Sequence, residues 1–283
     1  MPVEPWTCLE DRQLLPEWGL HVGHLDLDGQ RLRVALRPAE VQSAAPPLLL
    51  FNGIGANLEL AGPLMAALPG STCLIFDVPG AGQSPAPELP YRLGHLARLS
   101  GKVLDRFGFE VVDVLGVSWG GGLAQQFTLH APGRVRRLVL AATSVGALMV
   151  PAGPRTLLRM VNPRRYHDML YLDGIAPELY GGRMRDDPEA LRLFARHARG
   201  GSARGYRYQL LAIAGWTSLP ALCSLRQPTL VLAGRDDPLV PLINARLLAW
   251  LLPDARLHVL DDGHLFMLTQ PTETAALVSE FTA

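Results

Sequence analysis

The chain has 283 residues, 48% of them hydrophobic, enough to bury a large α/β core with an insertion and too apolar for a disordered chain. Its 26 Lys and Arg residues balance 26 Asp and Glu, so the net charge is zero. Without the basic excess that phosphate backbones select, nucleic acid is excluded as the main partner.

The first 19 residues read as an irregular surface arm. Met1 to Trp6 lacks a basic start followed by an apolar run, so no secretory signal is expected. Asp28-Gly29 lies between the loosely alternating runs His21 to Asp26 and Arg31 to Leu36, which predicts a tight hairpin. One face of that hairpin is charged, as in antiparallel edge strands. Pro47 to Phe51 reads as a buried strand, followed by the Asn52-Gly53-Ile54-Gly55 loop and a helix over about Leu58 to Leu68. The next strand, Thr72 to Phe76, ends at Asp77-Val78-Pro79-Gly80-Ala81-Gly82-Gln83-Ser84, and an amphipathic helix runs from Tyr91 to Phe107. A strand over 111–115 leads into Gly116-Val117-Ser118-Trp119-Gly120, a helix follows to Leu129, and Val135 to Ala141 is another strand. Regular alternation of strand and helix predicts a parallel sheet covered on both faces.

The rhythm breaks at about Thr143 and resumes near Leu219. Between them stand Pro and Gly breaks (Pro151, Gly153-Pro154, Pro163, Gly181-Gly182, Gly200-Gly201) and short helical pieces such as Pro188 to Ala198. This stretch holds 11 arginines against 6 acidic residues, a net of +5, so the rest of the chain carries −5. It reads as a helical cap over 143–219, inserted between core parts 1–142 and 220–283, with most of its arginines on solvated faces. Thr229 to Ala233 and Arg256 to Leu260 are the last strands, separated by a helix over Leu242 to Leu252, and a final helix follows His264. The longest apolar stretch, Leu138 to Val150, is too short to span a bilayer. Cys8, Cys73 and Cys223 are odd in number and form no CxxC, which fits a reducing cytosol without disulfides or zinc.

A serine between two glycines at a strand-to-helix turn is the nucleophile elbow of the α/β-hydrolase fold. The turn forces its central residue into strained angles and lifts the hydroxyl above the sheet. Such a hydroxyl needs a base, and the base needs an orienting acid, in the chain order Ser, acid, His. Ser118, Asp237 and His264 each follow a strand in that order. His258 lies inside a strand; His95, His130, His167 and His197 lie on or beside helices; His21 and His24 come too early. Asp236 competes with Asp237, but Gly234 and Pro241 frame Asp237 in a Gly-x-x-Asp-x-x-x-Pro pattern. Asp261 and Asp262 read as loop-solvated, with the alternative that one tunes the base. Two N–H groups are required for an oxyanion, and Trp119 and Ile54 are positioned to supply them. Neither phosphate-binding glycine pattern is present, so the Asn52 to Gly55 glycines do not suggest a nucleotide. Asp77 reads as the pin of a Gly-rich loop. No His, Cys or Glu cluster has metal-ligand spacing, and no cofactor is expected.

Beyond the elbow, several motifs carry a resemblance: Asn52-Gly53-Ile54-Gly55-Ala56-Asn57, Phe76-Asp77-Val78-Pro79-Gly80, Tyr180-Gly181-Gly182, Gly215-Trp216-Thr217-Ser218 and Asp261-Asp262-Gly263-His264-Leu265-Phe266. Across about residues 25–283 the chain resembles the intracellular medium-chain-length poly(3-hydroxyalkanoate) depolymerases, though Asn52 stands where relatives usually have His. The resemblance implies a cytoplasmic serine esterase that hydrolyses stored polyester at the granule surface, beside granule-associated proteins, with the family's triad on Ser118, Asp237 and His264. The alternatives are an α/β-hydrolase for small soluble esters, lactones or thioesters, and a granule-binding protein without activity. A polymer synthase of this fold would carry a cysteine where Ser118 stands.

Overall fold

The computed structural model describes residues 5–41, 45–162, 164, 168–198 and 201–283. The Pro163 and Gly200 breaks, His167 and the first four residues lie outside the described residues. Nine strands form one sheet: β1 Glu10–Leu15, β2 Leu20–Leu27, β3 Gln30–Arg37, β4 Leu48–Phe51, β5 Cys73–Phe76, β6 Val112–Val117, β7 Val135–Ala141, β8 Thr229–Gly234 and β9 Ala255–Leu260. Their order is β1-β2-β3-β5-β4-β6-β7-β8-β9. β1 to β3 are antiparallel, β3 joins β5 antiparallel, and the other pairings are parallel. The wholly buried strands β4, β5, β6 and β8 are the continuous apolar runs that a two-sided sheet requires.

Helices α1 Gly62–Ala66, α2 Leu93–Phe107 and α3 Trp119–His130 belong to the first part of the core, and α4 Pro154–Val161, α5 Met169–Tyr180, α6 Arg183–Asp186, α7 Pro188–His197 and α8 Ala203–Ile213 to the segment between β7 and β8. α9 Leu242–Leu251, α10 Phe266–Thr269 and α11 Pro271–Thr282 complete the chain. Leu96, Val103, Leu123, Phe127 and Leu248 put α2, α3 and α9 on one face of the sheet. Leu64, Met65, Phe266 and Val278 put α1, α10 and α11 on the other. The segment between β7 and β8 has its own small core of Leu172, Ala176, Leu179, Met184 and Phe194, closed by Leu239 and Leu268 from the sheet side. Among the described residues no helix is long and apolar enough to cross a membrane.

Three expectations are corrected. From Pro5 on, the N-terminal arm is regular: Pro5–Cys8 is a 3₁₀ turn and Glu10–Leu15 is the edge strand, paired with β2 through its backbone. Its side chains are mostly exposed, so it has no hydrophobic pattern to read. Trp6 stacks on His21 with ring centroids 4.4 Å apart, and Trp18 packs on Gly62. Consequently β2 and β3 lie inside the sheet, and of the three arginines on β3 Arg33 and Arg37 are buried while Arg31 stays exposed and pairs with Asp11. Arg33 bonds Glu59 at 2.6 Å, while Arg37 donates to the carbonyls of Trp18 and Leu68 and to Glu40. The helix expected over Leu58 to Leu68 is split into a 3₁₀ turn, Leu58–Ala61, and α1, because Pro63 lacks an N–H and restarts the helix at its first turn. The Asp28-Gly29 hairpin has Leu27 opposite Gln30 and φ of 55° and 79° at the two turn residues, the mirror-image turn that suits twisted strands.

Asp77 pins the loop that follows β5. Its carboxyl accepts from the N–H groups of Leu58 (2.8 Å) and Gln83 (3.2 Å), and Arg33 lies 3.7 Å away. This seats Gly80 directly against the Gly205 backbone of α8, where a methyl on Gly80 would come within 2.4 Å of the Gly205 Cα. Burial pushes the Asp77 carboxyl up to about 7, with the Arg33 charge opposing. A carboxyl raised in the folded state favours folding while protonated, and that contribution is lost as pH rises from about 4 through 7. The unfolding free energy of wild type relative to Asp77→Asn should therefore decrease from pH 4 to pH 8 in urea titrations. A flat difference would show that Arg33 and the two N–H donors fully offset burial.

Candidate active site

The elbow at Ser118 follows from close backbone packing. Ser118 sits between β6 and α3 at φ 53°, ψ −118°, a conformation that costs a non-glycine residue on the order of 1–3 kcal/mol. Its N–H donates to the Ala141 carbonyl at 2.8 Å, and its own carbonyl accepts from Gly121 N–H and the Thr143 hydroxyl. A methyl on Gly116 would meet the Gly120 carbonyl oxygen at 2.5 Å, and one on Gly120 would meet the Phe51 carbonyl oxygen at 2.2 Å. The flanking glycines therefore let β6, α3 and the end of β4 approach within backbone contact.

The loop after β4 lies against Ser118: a Cβ on Gly53 would be 3.6 Å from the Ser118 Cβ. Asn52 closes this loop by donating its amide to the Asn57 carbonyl at 2.8 Å. Ile54 follows on the same turn. Trp119 opens α3, so its N–H has no acceptor within the helix. Gln209 of α8, 1% exposed, joins the two sides by accepting Gly55 N–H on its side-chain oxygen (2.7 Å) and the Trp119 indole N–H on its carbonyl (2.9 Å).

Asp237 and His264 come together from the loops after β8 and β9. Asp237 Oδ2 lies 2.7 Å from His264 Nδ1, and both side chains are almost wholly buried. Asp237 Oδ1 accepts from Leu239 and Val240 N–H at 2.8 and 2.9 Å, which fixes the carboxylate. With an acceptor facing Nδ1, that nitrogen carries the proton and Nε2 keeps its lone pair, the tautomer a base needs to take a proton from a hydroxyl. Ser118, Ile54 and His264 line one cavity of about 100 Å³. Ser118, Ile54 and Trp119 also line a second, largely apolar cavity of about 540 Å³, walled by Met149, Leu157, Met160, Ile213 and Trp216.

Asp262 corrects a further expectation. It is buried, 3% exposed, and its carboxylate accepts from Gly263 and Arg183 N–H, the Thr269 hydroxyl and the Gln270 amide. Asp236 likewise accepts from Gly182 N–H and Arg185. The Tyr180 carbonyl receives the His264 N–H at 2.7 Å, and the Tyr180 and His264 rings lie nearly parallel, 6.2 Å apart. The loop that carries His264 is thus sewn to the α5–α6 turn. The double glycine allows this, since Gly181 and Gly182 have φ of 65° and 49° and a methyl on Gly182 would sit 1.9 Å from the Gly263 nitrogen. The Tyr180-Gly181-Gly182 triplet was the available signal for this contact; nothing local marks Gln209. Among the described residues no group of three or more His, Cys, Asp and Glu side chains is arranged to hold a metal ion.

Residues 46–271 match the family model of the α/β-hydrolase fold, and the sheet order, the elbow and the paired Asp–His loops are what that fold is built to present. The chain belongs to the α/β-hydrolase family. It is 50% identical over 258 residues to the poly(3-hydroxyalkanoate) depolymerase of Ectopseudomonas oleovorans, covering 91% of this chain and 90% of that one. It is 27% identical to 3-oxoadipate enol-lactonase 2 of Acinetobacter baylyi, covering 84% and 89%. Among solved structures, a hydrolase from Pseudomonas aeruginosa superposes with a TM-score of 0.76 at 27% identity, covering 92% and 97%.

Gly182→Ala should destabilise the protein by about 2 kcal/mol or more, since it adds backbone strain and displaces the Asp262–Gly263 turn. Gly174→Ala, at an open position on α5, should not destabilise it. Denaturant unfolding of both variants checks this.

Proposed function

We propose that this esterase cleaves the ester links of poly(3-hydroxyalkanoates) bearing medium-length side chains, through an acyl-enzyme on Ser118. In this reading His264 Nε2 takes the Ser118 proton as the hydroxyl attacks the ester carbonyl. Asp237 holds the imidazole in its reactive tautomer, and the backbone N–H groups of Ile54 and Trp119 receive the oxyanion. His264 returns the proton to the departing alcohol, and water then releases the 3-hydroxy acid or oligomer.

The observation that carries the reading is the 2.7 Å contact between His264 and Asp237 beside a cavity that Ser118 also lines. The substrate class draws on the 50% identical depolymerase and on the larger cavity. Its volume of about 540 Å³ and its Met, Leu, Ile and Trp lining suit an alkyl side chain, which gains about 0.8 kcal/mol per CH₂ buried. The helices of 143–219 act as a cap that keeps water from the reacting ester, and the enzyme works in the cytoplasm at the polymer granule, beside granule-associated proteins. A second reading, hydrolysis of small esters or lactones, is favoured by the 100 Å³ cavity beside His264 and by the enol-lactonase relative.

Ser118→Ala should abolish release of 3-hydroxy acids from purified polymer, measured by chromatography of the products. Asp237→Asn should lower kcat by about 10³-fold or more, because the wrong histidine tautomer is then favoured. Activity on soluble butyrate esters with none on polymer would select the second reading.

A further inference from the structure

Residues 148–161 are the part of the inserted helices that buries least. α4 has no buried residue. Leu157, Leu158 and Val161 are 44, 70 and 59% exposed, and Leu148 and Val150 just before the helix are 61 and 41% exposed. At 3.6 residues per turn, Leu157, Leu158, Met160 and Val161 share an arc of roughly 160°, with Arg155 and Arg159 on the other side. Arg159 is paired with Glu178. An apolar stripe of this kind, left open to water, marks a surface for an apolar partner.

Two observations say which partner. First, the stripe is continuous with the cavity that ends on Ser118: Leu157, Met160 and Val161 line its wall, and Met149 and Pro151 of the preceding loop line it too. Whatever seats on the ridge is held at the mouth of the reactive site. Second, the run Leu148 to Pro154 carries no charge, and one of the helix's two arginines is already paired. An anionic lipid surface or a nucleic acid would call for free cations on the ridge itself, whereas a condensed polyester is uncharged and rich in alkyl groups. The opposite end of the insert is tied down, with Tyr180, Gly182 and Arg183 bonded to His264, Asp236 and Asp262. Approach from the α4 side leaves that base loop undisturbed.

We propose that the 148–161 ridge is the surface by which this enzyme seats on condensed polyester, feeding chain from the solid directly into the larger cavity. The proposal rests on the reading of the chain as a polyester hydrolase. Its test uses the full-length protein, a protein-free suspension of poly(3-hydroxyoctanoate), and p-nitrophenyl butyrate in solution.

Leu158→Glu and Leu148→Glu place a charge on the ridge at residues that do not line either cavity. Each should lower the initial rate on suspended polymer, and the fraction of enzyme sedimenting with it, by about tenfold, since a carboxylate must then be desolvated. Rates on the soluble ester should stay within about twofold. Trp250→Glu is the control: this residue is 78% exposed near the end of α9, which runs from the loop after β8 back to the start of β9, and it lines neither cavity. It should leave both rates and sedimentation unchanged. Wild-type sedimentation and polymer rate in both ridge variants would overturn the proposal, as would an equal loss from Trp250→Glu or a matching loss on the soluble ester. Wild-type enzyme active on the soluble ester and inert on polymer would overturn the polyester reading instead.

Discussion

The architecture of the site depends on one steric constraint: at the elbow, three stretches of backbone pack too closely for side chains. The end of β4, the elbow and the first turn of α3 meet where Gly116 and Gly120 offer only hydrogen to their neighbours. That closeness aligns the loop after β4 with the Ser118 Cβ and the start of α3, so the serine side chain and the main chain of both neighbouring segments arrive together without any of them being built separately. The strained angles of Ser118 persist because bonds to Ala141, Gly121 and Thr143 hold the residue from both sides.

The Asp237–His264 pair is secured differently. His264 and Asp237 lie on loops, and loops at a sheet edge are positioned only by what they touch. Here they touch the insert. A main-chain bond from His264 to Tyr180, two carboxylates receiving the N–H groups of Gly182 and Arg183, and glycines with positive φ make the α5–α6 turn and the His264 loop one hydrogen-bonded body. A buried carboxylate such as Asp262, given four donors, has its desolvation offset by charge-assisted bonds. It rigidifies the loop next to the imidazole while leaving the ring's own partner to Asp237.

The parts of this molecule legible in the sequence are those whose environment repeats at short range. β4, β6 and β8 are buried on both faces and show it as unbroken apolar runs; the hairpin shows itself in Asp28-Gly29; the elbow shows itself in five residues whose spacing has a steric cause. What escaped reading is fixed at long range. β1 joins the sheet chiefly by backbone pairing, with Asp11 bonded to Arg31 and only Leu15 packed on the core, so Glu10 to Leu15 has an exposed, charged composition. Arg33 and Arg37 look like solvent-facing residues, because the carboxylates and carbonyls that make their burial affordable lie on other elements. Asp262 looks like a loop residue for the same reason. The Pro and Gly breaks between β7 and β8 interrupt the strand-helix rhythm, but the attachment of that segment to the His264 loop rests on contacts more than fifty residues apart in the chain.

Gln209 carries an evolutionary consequence. Its side chain holds the turn that contains Ile54, and its main chain holds the Trp119 indole, so one residue of α8 braces both walls around Ser118. Recombination that exchanged everything between β7 and β8 for the corresponding region of a distant hydrolase would keep every residue of the sheet and still unbrace those walls. A graft of covering helices onto this sheet therefore has to bring a residue that replaces both bonds of Gln209, whereas α4, bonded among the described residues only to its neighbours α5 and α8, can be exchanged without touching those walls.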